Sequence, residues 1–162
     1  MFLAAAAATA VCGIPAGYIW AAVAPRAVVA VIARGTAQVV NPETSAFIAA
    51  DLWFCLIGAI GGLLTGALGC WIAARRRGRG PAVAAGLIVG ALAAAAIMLW
   101  IGELGGHAAF RHELAVSAAG TLLHAPLGLG ATSGLAFWPL CTALAITVIE
   151  VTARWRAARP SS

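Results

Sequence analysis

The amino-acid sequence predicts an all-α membrane protein, a four-transmembrane-helix bundle with a small extracytoplasmic β-hairpin between helices 1 and 2. Three observations carry that expectation. Hydrophobic residues make up 63% of the 162-residue chain and charged residues 9%, too little polar surface for a soluble domain. The apolar residues gather in four stretches, 2–24, 46–74, 82–101 and 131–153, each long enough to cross a hydrocarbon core of ~30 Å, which needs about 20 residues. The basic residues, all of them Arg, lie between or after those stretches. The chain length suits a single domain over 1–162.

The distribution of charge sets the expected orientation. Arg75, Arg76, Arg77 and Arg79 occupy the loop 75–81, and Arg154, Arg156 and Arg159 the tail; Arg26, Arg34 and Arg111 lie in the other two loops. By the positive-inside rule, loop 75–81 and both termini are cytoplasmic, while loops 25–45 and 102–130 are outside. The net charge of +5 is therefore a topology signal toward the lipid bilayer, and no nucleic-acid partner is expected from it. Tyr18, Trp20, Trp53, Trp100 and Trp138 fall near the expected outer ends, and Trp71 and Trp155 near the inner ends, as interfacial belts do. Met1-Phe2-Leu3 offers no basic leader, so the first helix is expected to be retained.

Taken in order, the first span carries Ala5, Thr9, Gly13 and Gly17 at four-residue spacing, a small-residue stripe that permits close helix approach. Pro15 removes a backbone donor there and predicts a kink. In the first outer loop, 27–33 and 36–40 are rich in β-branched residues and flank Arg34-Gly35, the pattern of two short strands around a turn; an interfacial helix is the competing reading. Asn41-Pro42-Glu43 is a helix start, with a capping side chain, a proline suited to the first position and an acid that complements the dipole.

The second span bears Gly58, Gly62 and Gly66, continued by Gly69, and the third bears Ala82, Gly86, Gly90 and Ala94. With only the short loop 75–81 between them, these spans are expected to pack as an antiparallel hairpin, glycine face on glycine face; the same faces also suit homo-oligomerisation. Asp51 lies two helical turns before Gly58, on the packing face near the outer interface. It is expected either to pair with Arg26, Arg34 or Arg111, or to join Glu43 in a solute or partner site.

The loop 102–130 holds Glu103, His107, Arg111, His112, Glu113 and His124. Glu103, His107 and Arg111 recur every four residues, so a helical extension of the third span would align them. Glu103, His107 and His112 are weak metal candidates whose spacing matches no standard ligand motif, and no metal or cofactor is assigned. The apolar residues 114–130, with Pro126 and several glycines, suggest an interfacial or partly re-entrant segment. Pro139 predicts a kink in the fourth span. Cys12, Cys55, Cys70 and Cys141 all lie within spans without Cys-x-x-Cys spacing and are expected to be small apolar packing residues.

The segments Ala24-Pro25-Arg26, Pro42-Glu43, Phe47-Ile48-Ala49-Ala50-Asp51, Phe54 and Trp138-Pro139-Leu140, with the arginine-rich second loop, resemble an actinobacterial family of four-helix integral membrane proteins known only as a domain of unknown function. The likeness covers nearly the whole chain and departs from the family pattern at Leu52, where glycine is usual. It implies a cell-membrane protein of this topology and brings no activity. The chain lacks Gly-x-Ser-x-Gly, His-Glu-x-x-His and a phosphate-binding glycine loop, so an enzyme is not expected. The expected function is a non-enzymatic accessory or assembly subunit of a larger envelope or membrane complex. The alternative is a small transporter or channel-like homo-oligomer packed through its glycine faces.

Overall fold

The computed structural model describes residues 1–33, 36–39, 45–75, 80–104 and 106–158. Arg34, the helix-start residues Asn41-Pro42-Glu43, and Arg76, Arg77, Arg79 and Arg159 lie outside them. The elements are α1 (Phe2–Val11), α2 (Gly13–Val23), β1 (Val28–Ala33), β2 (Thr36–Val39), α3 (Ser45–Arg75), α4 (Pro81–Leu104), α5 (His107–Val116), β3 (Leu122–His124), a 3₁₀ turn (Thr132–Ala136) and α6 (Phe137–Ala157). Four helical segments are long and apolar enough to cross a bilayer: Phe2–Val23, Ala46–Arg75, Pro81–Leu104 and Thr132–Ala157.

The first span breaks where its chemistry requires. Pro15 has no N–H to give to the carbonyl four residues earlier, and the chain turns at Cys12, whose N–H donates to Thr9 O at 3.1 Å. Pro139, where a kink is expected, stands just after the change from 3₁₀ to α geometry at Phe137. Because α6 starts at Phe137, Pro139 lies in the first turn, where no intrahelical partner for its N–H is needed.

Gly69 of α3 meets Leu87 of α4, as expected, but the rest of the glycine stripes pack against other partners. A Cβ on Gly62 would meet the backbone oxygen of Trp138 and lie 2.8 Å from Cys141 Cβ; one on Gly66 would lie 2.9 Å from Ala145 Cβ. The Gly58, Gly62 and Gly66 face is thus filled by α6, with which α3 runs parallel. Gly86 and Gly90 of α4 instead receive Phe2 and Ala6 of α1, and Gly13 and Gly17 of the first span meet Ala94 and Met98 of α4. Direct contact between α3 and α4 is thin. The short loop makes those two helices antiparallel neighbours, but shape decides which faces mate. The glycines of α3 leave a groove for the bulky Trp138, while α1 and α4 offer each other small residues and approach closely.

The core at the sheet end contains Ala16, Trp20, Ala50, Phe54, Ala94, Met98, Leu127 and Trp138. Trp20 and Trp138, expected at the membrane interface, are 0% and 2% exposed. Each buried indole has found a partner: Trp20 Nε1 donates to Ala50 O at 3.0 Å and Trp138 Nε1 to Thr65 Oγ1 at 3.3 Å. Trp20 also meets Phe54 edge to face, with centroids 5.1 Å apart. Tyr18, Trp53, Trp71, Trp100 and Trp155 are exposed.

Candidate functional site

The part of the molecule that most invites a partner is the cap over the sheet end of the bundle. Its base is the expected hairpin. β1 pairs antiparallel with β2 through Val29↔Val39, Ala30↔Gln38 and Val31↔Ala37, with a bulge before Ala33↔Thr36. The segment 114–130, expected as interfacial or re-entrant, supplies a third strand: β3 pairs antiparallel with β1 through Val28↔His124, Val29↔Leu123 and Ala30↔Leu122, giving the order β2-β1-β3. Gly120, at φ 92°, makes the turn that allows this pairing, and its N–H donates to Val31 O at 2.7 Å. A three-residue strand whose partner lies some ninety residues earlier leaves almost no local signal.

The sheet alternates as a half-buried sheet must. Val29 and Val31 are buried, while Val28 and Ile32 of β1 and Leu122 of β3 face outward with His124 and Gln38 beside them. The cap therefore presents an apolar strip framed by polar groups. Among the described residues β2 pairs only with β1, so no described strand covers its far edge.

Asp51 holds the cap to the bundle. Its Oδ1 accepts Gly130 N–H at 3.0 Å and its Oδ2 accepts Ala131 N–H at 3.1 Å, so the carboxylate clamps the backbone that enters the 3₁₀ turn before α6. Amides stand where the sequence suggested a guanidinium. Among the described residues, Arg26 and Arg111 are exposed and form no ion pair with Asp51; Arg154 pairs with Glu150 at 3.8 Å, far from the cap. Charge on the carboxylate strengthens both bonds, because ionised acceptors bind N–H more tightly than neutral ones. Glu43 and Arg34 lie outside the described residues.

The expected Glu103, His107, Arg111 alignment is not formed. α4 ends at Leu104 and a separate helix, α5, starts at His107 after the glycines at 105 and 106, so Glu103 sits on a different helix from the other two. No group of three or more potential metal ligands occurs among the described residues. The buried polar side chains are Thr9 and Thr142, each bonded to a backbone carbonyl, Ala5 O at 3.0 Å and Gly62 O at 3.2 Å. No protein-family model, curated protein or solved structure matches the chain.

Proposed function

We propose that the chain is a non-enzymatic, multi-pass subunit of the cytoplasmic membrane, with both termini and the loop 75–81 inside, that joins a larger membrane or envelope protein through its outer cap. The observation that carries this reading is the outward sheet face of Val28, Ile32 and Leu122 beside the open edge of β2. Apolar groups outside the hydrocarbon gain about 25 cal/mol for each Å² withdrawn from water. An edge strand adds main-chain hydrogen bonds, so the partner that fits is an extracytoplasmic β-strand with apolar residues on alternate positions.

Two further features favour this over a transporter or channel-like homo-oligomer. The glycine faces that such an assembly would use are occupied inside the bundle. The described interior offers hydroxyls already bonded to backbone and no carboxylate at mid-depth, whereas coupled carriers commonly place an ionisable group there.

Extraction from native membranes in mild detergent tests the reading. The wild-type chain should leave with a stoichiometric larger membrane protein, and Ile32→Lys with Leu122→Lys should lose it while melting and fractionating like wild type. A pure homo-oligomer, or partner retention by the double variant, refutes it. Reporters after Ser162 and at Gly78 should score cytoplasmic and one at Gly35 external; an external signal at Ser162 refutes the orientation.

A further inference from the structure

At the end of the bundle opposite the sheet, α1 and α3 separate and leave a cavity of about 320 Å³ between them, floored by Leu87 of α4. Its existence follows from the pairing described above. α1 is drawn onto α4 and α3 onto α6, and the residues that α1 turns toward α3 are too small to close the gap: Ala4, Ala8 and Cys12. The lip is open sideways, because Ala4, Ala8, Cys12, Leu68 and Ile72 are all exposed.

The walls suit a hydrocarbon chain. The polar side-chain atoms in the lining are turned back onto their own helices: Thr9 Oγ1 donates to Ala5 O at 3.0 Å, Thr65 Oγ1 to Gly61 O at 2.7 Å, and Cys12 Sγ lies 3.4 Å from Ala8 O. The side chains of the lining thus offer a polar solute little to bind. At roughly 30 Å³ for a water-sized group, the cavity volume accommodates on the order of ten methylenes.

Depth and charge indicate which hydrocarbon. The cavity reaches along α3 to Thr65, about ten residues from Arg75, or ~15 Å at the helical rise, which is half of a ~30 Å hydrocarbon core. Arg75 follows Ile72 by about one turn of α3, at the end of the helix where the cavity opens. Its guanidinium lies 4.0 Å over the Trp71 ring, which holds the cation at the end of the helix. A chain lying in the cavity would thus bring its headgroup beside a fixed positive charge.

We propose that the cavity binds one acyl chain of an anionic glycerophospholipid from the leaflet at the Arg75 end, with the headgroup phosphate at Arg75. The site rests on the proposed membrane insertion but not on a protein partner at the cap.

The test is lipid titration of the purified full chain followed by native mass spectrometry, with dioleoyl phosphatidylglycerol against dioleoyl phosphatidylcholine. Membrane fractionation of the same preparation comes first, so failure to insert is distinguished from failure to bind lipid. Wild type should retain one phosphatidylglycerol. Ala8→Phe, which fills the cavity from an exposed position, should weaken both lipids by roughly tenfold or more, the loss expected for ~1.4 kcal/mol of chain burial. Ala4→Phe, nearer the mouth, should act the same way and guards against a folding defect at Ala8. Arg75→Gln should reduce phosphatidylglycerol binding about fivefold, as loss of ~1 kcal/mol per interfacial Arg implies, and leave phosphatidylcholine unchanged. Unaltered lipid binding in both cavity-filling variants overturns the proposal. So does equal affinity for the two lipids in wild type, or a dimer that Ala8→Phe dissociates, which would assign the cavity to a second copy.

Discussion

Placing a side chain at Gly62 attacks the closest approach between α3 and α6. A Cβ there would lie 2.8 Å from Cys141 Cβ and 3.1 Å from Thr142 N, and closer still to the Trp138 carbonyl oxygen. Carbon atoms rest at about 3.5–4.0 Å, so α6 must retreat by roughly 1 Å. Forcing a side chain into a packed interface costs about 1–3 kcal/mol. The retreat also stretches the buried bond from Thr142 Oγ1 to Gly62 O, now 3.2 Å, and interhelical hydrogen bonds in membranes are worth about 0.6 kcal/mol on average. Gly62→Leu should therefore lose about 2–4 kcal/mol, and Gly62→Ala about 1–2 kcal/mol, the lower part of the overpacking range. Leu63 is the control: it is half-exposed on the outward side of the same turn, and Leu63→Ala should lose under ~1 kcal/mol. Thr142→Val isolates the hydrogen bond and should lose under ~1 kcal/mol. Reversible unfolding in mixed micelles measures all four. If Gly62→Leu is no more damaging than Leu63→Ala, the close α3–α6 contact does not exist and the pairing of helices described above fails with it.

Substitutions at three other positions probe separate joints. Asp51→Ala should lose about 1 kcal/mol, in the range of a lost helix cap, and speed hydrogen exchange at Gly130 and Ala131, whereas Asp51→Asn, still an acceptor, should lose less; rescue by reversing the charge of Arg26 or Arg111 would show that an ion pair holds the loop after all. Trp20→Phe keeps an aromatic ring against Phe54 but drops the bond to Ala50 O and should cost about 1 kcal/mol, against about 3–5 kcal/mol for Trp20→Ala; no loss for Trp20→Phe in thermal melts would show that the hydrogen bond is not what distinguishes the indole, and equal losses that the ring packing contributes nothing. Pro139→Ala should change stability by less than ~0.5 kcal/mol, because the proline sits in the first turn of α6; a large gain or loss would mean that Pro139 bends the helix.

Much of the architecture was legible in the residue order because it depends on local properties. Hydropathy over twenty or so residues marked all four spans, and the helices extend past the expected limits by a few residues at most, at Leu104 and Ala157. Alternating β-branched residues around a turn marked β1 and β2. Positions with too little side chain to fill an interface marked the packing faces of α3 and α4. Each signal is written within one segment, where periodicity and residue size are sufficient to read it.

What the residue order left open was the choice of partner, and there the folded chain decided. Three small-residue faces can mate in several ways with similar local energy, and the shape of Trp138 against Gly61 and Gly62 selects α6 for α3, leaving α4 to the first span. The same holds for Trp20, whose amphipathic ring suits an interface equally well until Ala50 O and Phe54 offer a buried partner. Asp51 could be assigned a packing face but not the amides of Gly130 and Ala131, because backbone N–H groups have no sequence signature. The cavity beside Ala8 is the furthest consequence: a void belongs to no segment and arises only when neighbouring helices are drawn toward other partners.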